Sequence, residues 1–348
     1  MMPWFLFSLF LLPNDWAAEL SALAKIQEFN GVIVVRQGKA PPLVQSHGFA
    51  DPLEQRRFEP EALFPIASIT KWFTAALILQ LVEEGKLQMD QQVREILPEF
   101  QRADLSAITV KHLLTHSSGL TNNESIGEPV DGVSRIYSQA LSLDRAIRDY
   151  CLAPTQTKAG TAFAYNNGDY LILGKILEKI RAKPFHEILK AHILDPLAMT
   201  NTGMIANLGD KRALVSGFRY DREKQTYQPN PPMVLENYFA AGGMYANATD
   251  LMRFVDGFFG GKLFDPQTMA LFLNTYPESR GYAAGVWVRY MEFNQTVAKV
   301  VQRYGRIWGI NHYLAYYVDQ DLTILVLGNT DQVSPASFQR VIAEALLP

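Results

Sequence analysis

The sequence predicts an α+β fold: one antiparallel sheet flanked by helices, with a helical subdomain inserted between the sheet-forming segments. Two observations carry this. A strand pair, "GVIVVRQGK" and "PPLVQSHGFAD", stands near the N-terminus. Four β-rich stretches, "YAAGVWVRYMEF", "TVAKVVQRYG", "HYLAYYVD" and "LTILVLGN", fill the last third, and the patterns between are mainly helical. Strands that come in hairpin-like groups, instead of alternating with helices, argue against a βαβ build. The two groups can join into a single sheet. Residues 18–348 then read as one domain, with the helical subdomain at about 85–210.

The elements follow in order. The apolar run Met1–Leu12 is too short to span a membrane, which takes about 20 residues. Residues 1–17 read as an export signal, although no Lys or Arg precedes the run and no A-x-A-like cleavage site follows. The alternative is an apolar N-terminal arm in a chain that stays in the cytoplasm. "NDWAAELSALAKIQEF" reads as a helix capped by Asn14. After the hairpin, "PIASITKWFTAALILQLVEEGK" is apolar on nearly every side from Ile69 to Val82, the mark of a buried helix. "VREILPEF" and "VKHLLTHSSGL" are short helical pieces ended by Pro98 and Gly119, and 121–143 is polar loop. "DRAIRDYCL", "NNGDYLILGKILEKI" and "FHEILKAHIL" are helices, and "VSGFRYDREKQTYQP" is a polar surface hairpin. "NATDLMRFVDGFF" has Asn247 as N-cap with Asp250 three residues on, a capping-box arrangement. "SFQRVIAEALL" closes the chain as a helix.

Composition narrows the function. The chain has 348 residues, 48% hydrophobic and 19% charged, enough to bury a sizeable core. A net charge of -3 gives no basic footprint for nucleic acid. With one cysteine, Cys151, no intrachain disulfide can form. No clear membrane span, cofactor motif or mark of oligomeric state is present.

The chemistry begins with Lys71. A buried lysine is uncommon unless something pairs with it or uses it. Ser68 stands three residues earlier, on the same helix face. A serine hydroxyl becomes a nucleophile when a neighbouring base takes its proton, and a desolvated lysine has the lowered pKa such a base needs. The helix start at Ser68 also offers free N–H groups to a developing oxyanion. Taken alone, S-x-x-K reads equally as a capping serine and a snorkelling lysine. His112 and His116 have the spacing of a zinc pair but lack a third ligand, so no metal is expected. Gly242-Gly243 lacks the Lys and Ser/Thr of a phosphate loop and reads as a close-packing turn.

Several ordered segments resemble one family. "SITKWFTAALILQLVEEGKLQMD", "VKHLLTHSSGL", "FAYNNGDYLILGKILEKI", "PLAMTNTGM" and "AAGGMYANATDLMRF" are together similar to the β-lactamase-related serine hydrolases. That group includes class C β-lactamases, D-Ala-D-Ala carboxypeptidases and β-lactamase-like esterases. The resemblance implies the β-lactamase/transpeptidase-like fold. It places the family's Tyr-x-Asn motif at Tyr165, Asn166 and Asn167, the tyrosine sharing the base role with Lys71 and the asparagine positioning substrate and lysine. A second Tyr-x-Asn, at Tyr245–Asn247, reads as structural because Asn247 is better explained as a cap. The third motif, Lys-Thr-Gly or His-Ser-Gly in relatives, falls on Arg303, Tyr304 and Gly305; the alternative alignment, on Arg306, Ile307 and Trp308, loses the glycine. The next N–H, on Arg306, would complete the oxyanion hole with that of Ser68.

Arginine does not deprotonate, so Arg303 can supply charge or clamp a carboxylate but cannot be a base. Tyr304 lacks the compact hydroxyl that helps relatives bind a β-lactam carboxylate. The expected function is therefore hydrolysis, through an acyl-enzyme, of a small-molecule or peptide acyl substrate: an ester, an amide or a D-amino-acid-type peptide. Two other readings stand beside it: a non-catalytic penicillin-binding-like module, and a class C-like β-lactamase.

Overall fold

The computed structural model describes residues 15–347. The Asn14 cap and residues 1–14 of the export or arm segment lie outside the described residues. Trp16, within the 1–17 segment, is already buried in the first helix, α1 (Asp15–Ile26).

Six strands form the main sheet: β1 (Gly31–Gln37), β2 (Leu43–His47), β3 (Trp287–Phe293), β4 (Thr296–Ile307), β5 (Ile310–Tyr317) and β6 (Leu322–Gly328). Their spatial order is β2-β1-β6-β5-β4-β3, and every pairing is antiparallel. The N-terminal hairpin thus joins the C-terminal run through β1 and β6, with Val34 opposite Leu325. Side chains alternate between two cores. Val32, Val34, Leu314, Leu325 and Leu327 face the helical bulk. Ile33, Val35, Ala315, Ile324 and Val326 face α1 and the closing helix, Ala336–Leu346. All seven residues of β6 are buried, which explains why "LTILVLG" reads as an unbroken apolar run.

On the helical side lies α2 (Thr70–Glu83), buried from Thr70 to Leu81. Phe254 stacks on Phe73 at 3.8 Å and meets Trp72 edge-on at 5.7 Å. Two differences from the sequence reading bear on the site. A 3-10 turn, Ala67–Ile69, precedes α2, and Ala67 has φ +50°. A non-glycine residue in that region costs of order 1–3 kcal/mol, which the surrounding packing must offset. Tyr282 makes only an isolated bridge to Trp287, the chain bends between them, and the strand begins only at Trp287. Asn247 caps its helix, Ala248–Phe259, by accepting from the Asp250 N–H at 2.8 Å. Only half of the capping box forms, because the Asp250 carboxylate accepts from Asn201 N–H and the Thr202 hydroxyl instead.

Candidate active site

Three pieces of backbone meet at Ser68. The first is the Ala67–Ile69 turn. The second is α3 (Asn167–Arg181), which Asn166 caps by accepting from Gly168 N–H at 2.9 Å. The third is the end of β4. Here β3 stops pairing at the Trp287–Gln302 register, so residues 303–307 keep β5 on one side only. The Ser68 turn fills the vacated edge. A Cβ on Gly305 would sit 2.5 Å from the Ile66 carbonyl oxygen, so this close approach requires glycine.

Ser68, Lys71, Tyr165, Asn167 and Arg303 form one hydrogen-bonded cluster. Ser68 Oγ lies 2.8 Å from Tyr165 Oη and 3.1 Å from Lys71 Nζ. Lys71 is fully buried and donates to Asn167 Oδ1 at 2.6 Å and to the Ala241 carbonyl at 2.7 Å. Two of its nitrogen positions therefore face obligate acceptors. The third faces Ser68 Oγ, where an N–H or a lone pair serves equally. Phe239, at φ +41°, precedes the Ala240 and Ala241 carbonyls that bind Thr74 and Lys71, a second strained residue beside the site.

Arg303 is 2% exposed and turns inward. Its Nε donates to the Ser68 carbonyl at 2.8 Å, Nη1 to Tyr282 Oη at 2.7 Å and Nη2 to Tyr165 Oη at 2.7 Å. Of its two sequence-level roles, this geometry favours charge supplied to a tyrosine over an open carboxylate clamp. Tyr304 packs its ring on Tyr313, 5.0 Å between centroids, in the core on the far face of the sheet. Arg306 is exposed, and its Nε donates to Asn311 Oδ1 at 3.0 Å.

The electrostatics follow from burial and from Arg303. Burial drives the Lys71 ammonium down to about 8, with Tyr165 opposing and Arg303 adding to the fall. Tyr165 is 39% exposed, but partial desolvation of its hydroxyl would raise the phenol; Arg303 first and Lys71 second outweigh this and bring it to about 8. Two groups that can take the serine proton thus titrate just above neutrality. A cavity of about 410 Å³ opens over Ser68, and Tyr165, Asn167, Arg303, Trp287, Arg306 and Trp308 are among the residues that line it.

Sequence reasoning missed five contributors. Glu124 and Tyr137 lie in the polar 121–143 segment, yet Glu124 Oε1 accepts from Asn167 Nδ2 and from Tyr137 Oη, each at 2.8 Å. Tyr282 lay in a segment read as strand. His116 and Asp169 form a buried pair beneath Tyr165: Nδ1 is 2.8 Å from Oδ2, and the His116 and Tyr165 rings are 4.4 Å apart. Burial pushes Asp169 well above and His116 well below their ordinary values, so the pair is held neutral. His112 caps its own helix by accepting from Thr109 N–H. Neither histidine shares a metal-like cluster, and no group of three or more His, Cys, Asp or Glu among the described residues could hold a metal ion.

Comparison with known proteins agrees with this architecture. The family model described as Beta-lactamase matches residues 18–347. A teichoic acid D-alanine hydrolase of Staphylococcus aureus is 28% identical over 240 residues, covering 69% of this chain and 56% of that protein. The chain thus spans little more than half of this curated relative. Among solved structures, a penicillin binding protein from Bacillus halodurans superposes with a TM-score of 0.77 at 24% identity, covering 93% of this chain and 98% of that one. The D-amino acid amidase of Ochrobactrum anthropi SV3 gives 0.80 at 19% identity, covering 95% and 99%. At those identities the two structures speak to the fold.

Proposed function

The chain belongs to the Beta-lactamase family, and we propose that it is a serine hydrolase that works through an acyl-enzyme on an ester or amide. The observation that carries this is Ser68 Oγ held within 2.8 Å of Tyr165 and 3.1 Å of Lys71, both depressed to about 8. In the reactive form the Tyr165–Lys71 pair is one proton short. Tyr165 takes the Ser68 proton as Oγ bonds to the substrate carbonyl carbon. The N–H groups of Ser68 and Arg306, the latter on the open edge of β4, hold the oxyanion. Tyr165 returns the proton to the leaving oxygen or nitrogen as its bond to carbon breaks. Water then repeats the sequence, its proton passing through Tyr165 to Ser68 as the acyl group leaves. Asn167 holds Lys71 in place.

The relative named as a D-alanine hydrolase supports a D-amino-acid-type acyl donor. Substitution of the third motif supports ester or amide hydrolysis over β-lactam hydrolysis, since Arg303 is committed inward and Tyr304 packs on the opposite face. The apolar run before Asp15 supports export. Recovery of the uncleaved chain from the cytoplasm alone would count against export. No helix among the described residues is long and apolar enough to cross a membrane. The activity is tested by p-nitrophenyl ester hydrolysis with wild type and Ser68→Ala. Turnover should vanish in the variant, and equal rates in the two proteins would sink the mechanism. Rapid turnover of a chromogenic cephalosporin would instead promote the β-lactamase reading.

A further inference from the structure

Among the described residues lining the cavity over Ser68, Glu124 is the only carboxylate. The other charged residues there, Arg303 and Arg306, are cationic, and Lys71 lies directly beneath. Glu124 binds at the end of the chain that starts at the nucleophile: Ser68 to Lys71, Lys71 to Asn167, Asn167 to Glu124. Asn167 and Tyr137 both donate to its Oε1. Tyr137 stacks on Tyr238 with centroids 3.9 Å apart, and both rings also line the cavity.

We propose that Glu124 receives the α-ammonium of an aminoacyl donor, so that this site prefers acyl groups with a free amine over N-acylated ones. The inference rests on the serine hydrolase reading and names its substrate class. The chemistry fits these charges. In an α-aminoacyl group the ammonium is one carbon from the carbonyl that Ser68 attacks. With that carbonyl at the β4 edge, the positive charges of Arg303 and Arg306, both carried by that strand, repel the ammonium. Glu124 attracts it. An N-acyl donor would place a neutral amide against the Glu124 carboxylate and forfeit that attraction. A role confined to orienting Asn167 would need only the Oε1 acceptor, which glutamine also supplies.

That difference sets the experiment. The kcat/KM values for D-alanine ethyl ester and N-acetyl-D-alanine ethyl ester are measured with wild type and Glu124→Gln. Wild type should favour the free amine. Glu124→Gln keeps the acceptor for Asn167 and Tyr137 but loses the charge, so the ratio should fall by about ten- to a hundredfold, chiefly through KM, as expected for a lost charge-assisted hydrogen bond. An unchanged ratio, or a wild type that prefers the N-acetyl ester, overturns the proposal. If Glu124→Gln fails to fold, wild type alone decides through D-alanine ethyl ester against ethyl propionate, which lacks the amine; no preference overturns the proposal. If wild type hydrolyses neither alanine ester and also takes no fluorophosphonate label, the hydrolase reading itself has failed. Labelling without any preference for the amine removes only the Glu124 subsite.

Discussion

Replacing Arg303 by glutamine tests what sets the base. In the folded chain the Arg303 guanidinium donates to Tyr165 Oη at 2.7 Å and is the largest influence lowering a phenol that partial desolvation would otherwise raise. Without it, Tyr165 should climb from about 8 at least to its ordinary 10.0. Lys71 loses a neighbouring cation at the same time, so its ammonium is also harder to deprotonate. Both changes move the ascending limb of the pH–rate profile towards alkaline pH. A two-unit rise corresponds to about 2.7 kcal/mol, and at pH 7 it cuts the deprotonated fraction from roughly one in ten to one in a thousand. The expected loss in kcat/KM at pH 7 is therefore about a hundredfold, recovered as pH approaches 10. The assay is ester hydrolysis from pH 6 to 10.5, with unfolding monitored by circular dichroism at each pH. A uniform loss with the limb still near 8 would refute the reasoning, because damage to structure lowers the rate without moving a pKa.

Substitutions at two further residues follow. The neutral His116–Asp169 pair implies that Asp169→Asn is tolerated, since an amide can donate to His116 Nδ1 and accept from the Ser118 hydroxyl, now 2.6 Å from Oδ1. It should cost under about 1 kcal/mol by urea denaturation, whereas Asp169→Ala, which leaves buried polar groups unpaired, should cost about 2–4 kcal/mol; equal losses would show that Asp169 is ionised. Gly305→Ala forces a Cβ against the Ile66 carbonyl. It should destabilise by about 1–3 kcal/mol and reduce kcat at least tenfold by displacing the edge from Ser68; an unaffected kcat would separate this edge from the chemistry.

Sequence legibility divided along physical lines. Lys71 was conspicuous because it interrupts a helix buried on every side, and local apolar density is a sequence property. The sheet was legible for the same reason, β6 running apolar from end to end. The local turn before Ser68 was not, because the left-handed Ala67 is held by tertiary contacts and no glycine announces it. Glu124 and Tyr137 were invisible as site residues: polar side chains in a polar loop gain meaning only from Asn167, more than 25 residues downstream. Tyr282 was misread because β-rich composition extends across the bend between it and the strand. Asp250 had the right spacing for a capping box, but Asn201 and Thr202 outcompeted its own helix start.

The central claim is that Ser68 is an activated nucleophile. Intact mass after incubation with a fluorophosphonate tests it most directly, on wild type and on Ser68→Ala. The expected result is one adduct on wild type, mapped to the peptide carrying Ser68, and none on the variant. A folded wild type that takes no label, or a Ser68→Ala that labels equally, would contradict the account.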